Sequence, residues 1–203
     1  MNIPAPLLVV EDVPDTLQLV DVALRFKGYR VVTARNGREA IKAIEAERPA
    51  LILTDILMPG MDGFSLVHRL RIQPETRDIP VIFLSATYVA PEDKEFAAAI
   101  GVSRFIEKPI NIEEMLRTIA ELLSAEARSH APMDERAFYE GYRKRLEEKL
   151  AQKVAQIART EGMMDALTEA EKKSFRISLQ QFVDEREDIQ QLLNQIRRLS
   201  DSR

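Results

Sequence analysis

The chain has 203 residues, 45% of them hydrophobic and 31% charged, enough for one domain and a smaller second part in a soluble globular protein. The absence of cysteine excludes disulfides, thiolate metal sites, iron–sulfur clusters and a cysteine nucleophile. The only histidines, His68 and His130, lie in unlike contexts far apart and make no His-rich metal centre. A net charge of −4 argues against general affinity for nucleic acid, no apolar run is long enough for a membrane span, and the start MNIPAPLLVVED has no secretory-signal pattern, so the chain reads as cytoplasmic.

The first 125 residues alternate apolar runs with amphipathic stretches. Leu7–Val10 predicts a strand ending at Glu11-Asp12. Pro14–Lys27 carries Leu17, Val20 and Leu24 at helical spacing, and Gly28 closes it. Tyr29–Thr33 reads as a strand, and Asn36-Gly37 opens a helix with Ala40, Ile41 and Ile44. Leu51–Thr54 is a strand ending at Asp55, followed by a helix over Met61–Ile72. Val81–Leu84 predicts a strand before Ser85, Pro91–Ile100 a helix, and Ser103–Ile106 a strand before Lys108-Pro109. Asn111 then caps a helix to about Ala125. Continuous apolar runs mark strands buried on both faces, and five strand-then-helix units predict a doubly wound parallel α/β sheet. In such a sheet ligands sit at the carboxyl ends of the strands.

After residues 126–131, a predicted hinge, the pattern changes. Residues 132–203 hold 14 basic and 14 acidic residues, so the net charge lies before them. One helix is predicted from about Met133 to Ala166, with Tyr139, Tyr142, Leu146, Leu150, Val154, Ile157 and Met164 on one face. Thr168-Glu169-Ala170-Glu171 reads as a capping box that starts a second helix to about Ser200. There Phe175, Leu179, Phe182, Ile189, Leu193 and Ile196 follow 4-3 heptad spacing, with Arg186 in the polar slot. Two such helices predict an αα-hairpin or coiled-coil region. Tyr142-Arg143-Lys144-Arg145 reads as part of a solvated helix face, and the Arg186 stem as packing while its head reaches water. His68 reads as a surface or rim residue. His130 lacks the helical context of a phosphate-relay histidine.

Four predicted strand ends bring Glu11, Asp12, Asp55, Ser85 and Lys108 to one edge. Three clustered carboxylates repel one another and need a cation, and an all-oxygen set suits Mg²⁺, with Mn²⁺ possible. A carboxylate flanked by a divalent cation, an ammonium group and a hydroxyl suits an incoming phosphoryl group. In LLVVED, LILTDILMPGMDGF, VIFLSA and FIEKP the chain resembles the receiver domains of two-component response regulators, over residues 1–125.

That resemblance implies a flavodoxin-like (βα)5 fold with Asp55 as phospho-acceptor. It implies Mg²⁺ held by Glu11, Asp12, Asp55 and the carbonyl of Leu57. Lys108 would contact the phosphoryl group, across a cis bond to Pro109. Ser85 and Phe105 would form the switch, and Ala86 would leave space above Asp55. The implied phosphodonor is a sensor histidine kinase or a small phosphodonor. For the helical region three outputs stand open: a homodimer (through these helices or the receiver) or docking on the receiver or on a downstream protein, an RNA-binding output, and a linker to a catalytic module. The neutral charge and missing basic stripe count against the second.

Overall fold

Short buried strands alternate with capped helices to give a five-stranded parallel sheet and, after it, two long helices. The structure is a computed structural model that describes residues 5–58, 61–85, 91–124, 134–164 and 169–201. The strands are β1 (Leu7–Val10), β2 (Val31–Ala34), β3 (Leu51–Asp55), β4 (Val81–Ser85) and β5 (Arg104–Glu107). The helices are α1 (Pro14–Phe26), α2 (Gly37–Ala46), α3 (Gly63–Ile72), α4 (Pro91–Ala99), α5 (Ile112–Ser124), α6 (Glu135–Met164) and α7 (Glu169–Asp201). The chain divides into two units, Met1–Met133 and Asp134–Arg203. The predicted hinge, His130 and Thr168 lie outside the described residues. No described helix is long and apolar enough to cross a membrane.

The strand order is β2-β1-β3-β4-β5, all parallel. The order reverses direction between β1 and β3, so the carboxyl ends of those strands flank the crevice where such sheets bind ligands. One face carries Leu7, Val9, Leu51, Leu53, Ile82 and Leu84, packed with Val20 and Leu24 of α1 and Met115 and Ile119 of α5. By strand alternation Leu8, Ile52, Thr54, Val81 and Phe83 belong to the other face, and all are buried. Each aliphatic side chain so buried contributes roughly 2 kcal/mol. The expectation of strands buried on both faces holds for β1, β3 and β4. The outer strands β2 and β5 are only partly covered.

Local chemistry sets the helix boundaries. Asn36, Asp62 and Asn111 accept from the backbone N–H of Glu39, Ser65 and Glu114 at 2.9, 2.8 and 3.1 Å. Each cap contributes about 1 kcal/mol. Glu39 also accepts from the N–H of Arg35, the residue before the cap, at 2.9 Å and from the Asn36 side-chain amide at 3.1 Å. Strand β2 begins two residues later than its apolar run suggests. Gly28 turns at φ 92°, and the Tyr29 N–H closes back on the Leu24 carbonyl. Tyr29 therefore belongs to the helix stop rather than to the strand.

His68 is corrected from a surface or rim position: it is buried at 3% exposure. α3 is not split into wet and dry faces, since Phe64, Leu66, Val67, His68, Leu70 and Arg71 are all buried. The Arg71 guanidinium donates to the carbonyls of Arg77, Ile79 and Gly101 at 2.8, 3.1 and 2.8 Å. It thereby ties the end of α3 to the loops entering β4 and β5. Burial pulls its pKa down to about 10, which leaves it charged at neutral pH.

In the second unit α6 and α7 form an antiparallel hairpin. Lys153 meets Glu185 at 2.6 Å and Arg197 meets Glu147 at 2.9 Å, so residue numbers rise on one helix as they fall on the other. Phe138, Tyr142, Leu146 and Ile157 of α6 are buried, as are Ile189, Leu192, Leu193 and Ile196 of α7. Val154 is corrected from the inner face to the surface, at 49% exposure. Lys153 lies across the helix pair instead. Arg145 is buried, which corrects its placement on a solvated face, and the Lys153 ammonium sits 5.0 Å over the Phe182 ring. Counting only apolar residues passes over such long stems, which bury their methylenes as well as any leucine. Arg186 donates to Glu187 at the surface, in keeping with a head that reaches water.

Candidate functional site

The carboxyl edge of the sheet gathers the polar residues that follow or end each strand. Glu11 and Asp12 come directly after β1, Asp55 ends β3, Ser85 ends β4, and Lys108 follows β5. The backbone holds these ends together. The Glu11 N–H donates to the Ala34 carbonyl at 3.0 Å, and the Lys108 N–H to the Ser85 carbonyl at 2.7 Å. The Lys108–Pro109 peptide is cis.

Lys108 is the electrostatic centre. Its Nζ lies 2.6 Å from Glu11 Oε2 and 2.6 Å from Asp55 Oδ2. Glu11 is fully buried and Asp55 nearly so. Burial pushes the Glu11 pKa up, the Lys108 hydrogen bond opposes it, the Asp55 charge adds to it, and the net shift is upward. Burial pulls the Lys108 pKa down, but hydrogen bonds and charge from Asp55 and Glu11 outweigh it, so Lys108 is raised. The second Asp55 oxygen, Oδ1, accepts from the Leu57 N–H at 3.2 Å.

Glu11, Asp12 and Asp55 each offer a carboxylate oxygen, and these atoms lie within 4.8 Å of one another. Three converging carboxylate oxygens, with neither nitrogen nor sulfur among them, fit a hard divalent cation such as Mg²⁺. Burial is the main reason the Glu11 pKa is raised, and the neighbouring Asp55 charge adds to it.

The structure therefore brings Glu11, Asp12, Asp55 and Lys108 together, with Ser85 buried at the adjoining strand end. Leu57 stands beside Asp55 with its side chain half exposed. Ala86 lies outside the described residues. Phe105 is half-buried, with its ring edge-on to Phe83 at 5.6 Å. Here the structure adds a set of ring contacts that the sequence pattern did not single out. Phe83 meets Phe64 at 5.0 Å, and Phe64 meets Phe96 at 5.4 Å, so a row of rings joins β5 to β4, α3 and α4. In the sequence Phe83 is one apolar letter in a buried strand. Only the pairing of Phe83 with Phe105 across β4 and β5 reveals the row.

Comparison with known proteins gives the same picture. Residues 7–120 match the family described as the response regulator receiver domain. The chain is 32% identical over 120 residues to Protein PilH of Pseudomonas aeruginosa, a stretch that covers 59% of this chain and 98% of PilH. It is 35% identical over 120 residues to the probable transcriptional regulatory protein TcrX of Mycobacterium tuberculosis, of which the match covers 50%. Among solved structures it resembles the chemotaxis response regulator CheY4 of Vibrio cholerae, with a TM-score of 0.55 and 34% identity. That likeness covers 59% of this chain and 99% of CheY4.

Proposed function

The chain belongs to the response regulator receiver domain family, and on that premise we propose that Asp55 accepts a phosphoryl group in a two-component phosphorelay. The observation that carries the reading is the Asp55 carboxylate held 2.6 Å from the Lys108 ammonium inside a three-carboxylate cluster. The donor is a phosphohistidine on a sensor histidine kinase, or a small phosphodonor. An Asp55 oxygen attacks phosphorus, a P–O bond forms, and the P–N bond to the donor imidazole breaks. The imidazole keeps the electron pair and takes up a proton. Glu11, Asp12, Asp55 and the Leu57 carbonyl would hold Mg²⁺, with Mn²⁺ as an alternative. When bound, the ion neutralises charge on the phosphoryl oxygens. Lys108 steadies the negative charge as it develops and then faces the phosphorylated side chain.

The output follows from the same edge. Ser85 presents a hydroxyl to the new group, Ala86 leaves room for it, and Phe105 repacks against its neighbours. The α4–β5 face then presents different contacts in the two states. The helical hairpin is the output element, acting by dimerisation or by docking on a partner protein. Light scattering with Mg²⁺, with and without beryllofluoride as phosphoryl mimic, tests the output. A mass that doubles with the mimic supports switched dimerisation. A dimer in both conditions makes the hairpin a constitutive dimeriser, and a monomer in both contradicts dimerisation as the output. Loss of phosphate uptake in Asp55→Asn tests the acceptor.

A further inference from the structure

We propose that Thr54 is a positioning residue for Asp55, setting the orientation of the reactive carboxylate through the Asp55–Ile56 peptide; the inference rests on Asp55 as the phosphoryl acceptor. Thr54 is fully buried in β3, on the sheet face it shares with Phe83. The three strand residues before it are Leu-Ile-Leu, and a valine would fill the same volume with no hydroxyl to satisfy. The hydroxyl has a specific use. Its Oγ1 donates to the backbone carbonyl of Asp55 at 2.9 Å.

That carbonyl is where control of the site passes from the sheet to the loop. β3 ends at Asp55, so the next peptide is no longer fixed by a strand ladder. Rotation about this peptide would swing the Leu57 N–H, which donates to Asp55 Oδ1 at 3.2 Å. This bond closes an Asx turn, in which the carboxylate and the backbone two residues on fix one another. Asp55 Oδ2 is held from the other side by Lys108. The following carbonyl, of Ile56, accepts from the Gly63 N–H at 2.9 Å. Gly63 also leaves space for the grip: a Cβ there would lie 2.5 Å from the Asp55 carbonyl oxygen. Thr54 and Gly63 thus hold successive carbonyls, and the carboxylate inherits its orientation from both. The Thr54 hydroxyl bonds the Asp55 main chain and not its carboxylate, so it acts through Asp55.

The test compares Thr54→Val, which keeps the shape and removes the hydroxyl, with Thr54→Ser, which keeps the hydroxyl. Two readouts are taken on the full chain: amide hydrogen exchange at Leu57, and the rate of Asp55 phosphorylation by acetyl phosphate at saturating Mg²⁺. Thr54→Val is expected to speed Leu57 exchange by about tenfold relative to Leu8 and Ile52, the effect of losing roughly one net hydrogen bond. The maximal phosphorylation rate falls by about five- to tenfold with little change in KM for acetyl phosphate, and Thr54→Ser restores both. Wild-type behaviour of Thr54→Val, failure of the serine to rescue, or exchange that rises uniformly across the sheet would overturn the proposal. The exchange measurement needs no phosphate. A selective Leu57 response in a chain that takes up no phosphate overturns the acceptor reading. Phosphorylation without a Leu57 response overturns the role of Thr54.

Discussion

Truncating Lys108 to alanine removes an ammonium that bridges two buried carboxylates. Its Nζ is 2.6 Å from both Glu11 and Asp55, and the three side chains are 15%, 0% and 9% exposed. Removing one partner of a buried pair destabilises by about 3 to 5 kcal/mol, because the other charge stays behind unpaired. The lower end applies here, about 3 kcal/mol, since Asp12 leaves the cluster open to water on one side. For a unit of this size that is a drop of roughly 10 °C in the unfolding midpoint. The sign with pH follows from the upward shift of Lys108. Its stabilising contribution is intact below the ordinary lysine value of 10.5 and is lost only as pH rises through the raised one. The loss in Lys108→Ala is therefore fully visible at neutral pH. A divalent cation offers the carboxylates the charge they have lost, so Mg²⁺ stabilises the variant more than the unaltered chain. At a concentration 100 times its Kd the ion adds about 2.7 kcal/mol. Calorimetric unfolding in chelator and then in excess Mg²⁺ measures both effects. Equal stability of the two chains in chelator, or an equal gain from Mg²⁺, would refute the reasoning.

The aromatic row and the proton affinity of Glu11 give two further expectations. Phe83→Leu removes a fully buried ring and lowers stability by roughly 1 to 2 kcal/mol. It leaves Asp55 phosphorylation within about twofold but shrinks the chemical-shift response of Phe105 to beryllofluoride; an undiminished response would show that the Phe83 contact does not carry the coupling. Because the Glu11 pKa lies above 4.5 in the folded chain, protons compete with Mg²⁺ at a higher pH than at an ordinary glutamate. Mg²⁺ affinity should weaken as pH falls below neutral, sooner than for an ordinary glutamate, and titration calorimetry should find a flatter profile in Glu11→Gln.

What could be read from the sequence was what short-range chemistry decides. Asn36 and Asn111 announce their helices because an N-cap is satisfied within three residues. The continuous apolar runs Leu7–Val10, Leu51–Thr54 and Val81–Leu84 announce buried parallel strands for the same local reason. Convergence of Glu11, Asp12, Asp55 and Lys108 followed from topology, since the carboxyl ends of parallel strands share one edge. What escaped was decided by tertiary neighbours. Tyr29 looks like a strand residue until Gly28 turns the chain and the Tyr29 N–H returns to Leu24. His68 looks polar and therefore exposed, although α3 is covered around much of its circumference. Val154 is exposed and Arg145 buried, against expectation, because a long charged side chain can bury its methylenes while an apolar letter on a helix can still face water. Thr54 reads as a strand filler until its hydroxyl is seen on the Asp55 carbonyl.

The central claim is that Asp55 is a phosphoryl acceptor, and the most direct measurement locates phosphate on the chain. The full chain is incubated with Mg²⁺ and acetyl phosphate, trapped by reduction, and mapped by peptide mass spectrometry. A single modified position at Asp55, dependent on Mg²⁺ and absent from Asp55→Asn, is the expected result. An unmodified Asp55 in the unaltered chain, or label that persists in Asp55→Asn, would contradict it.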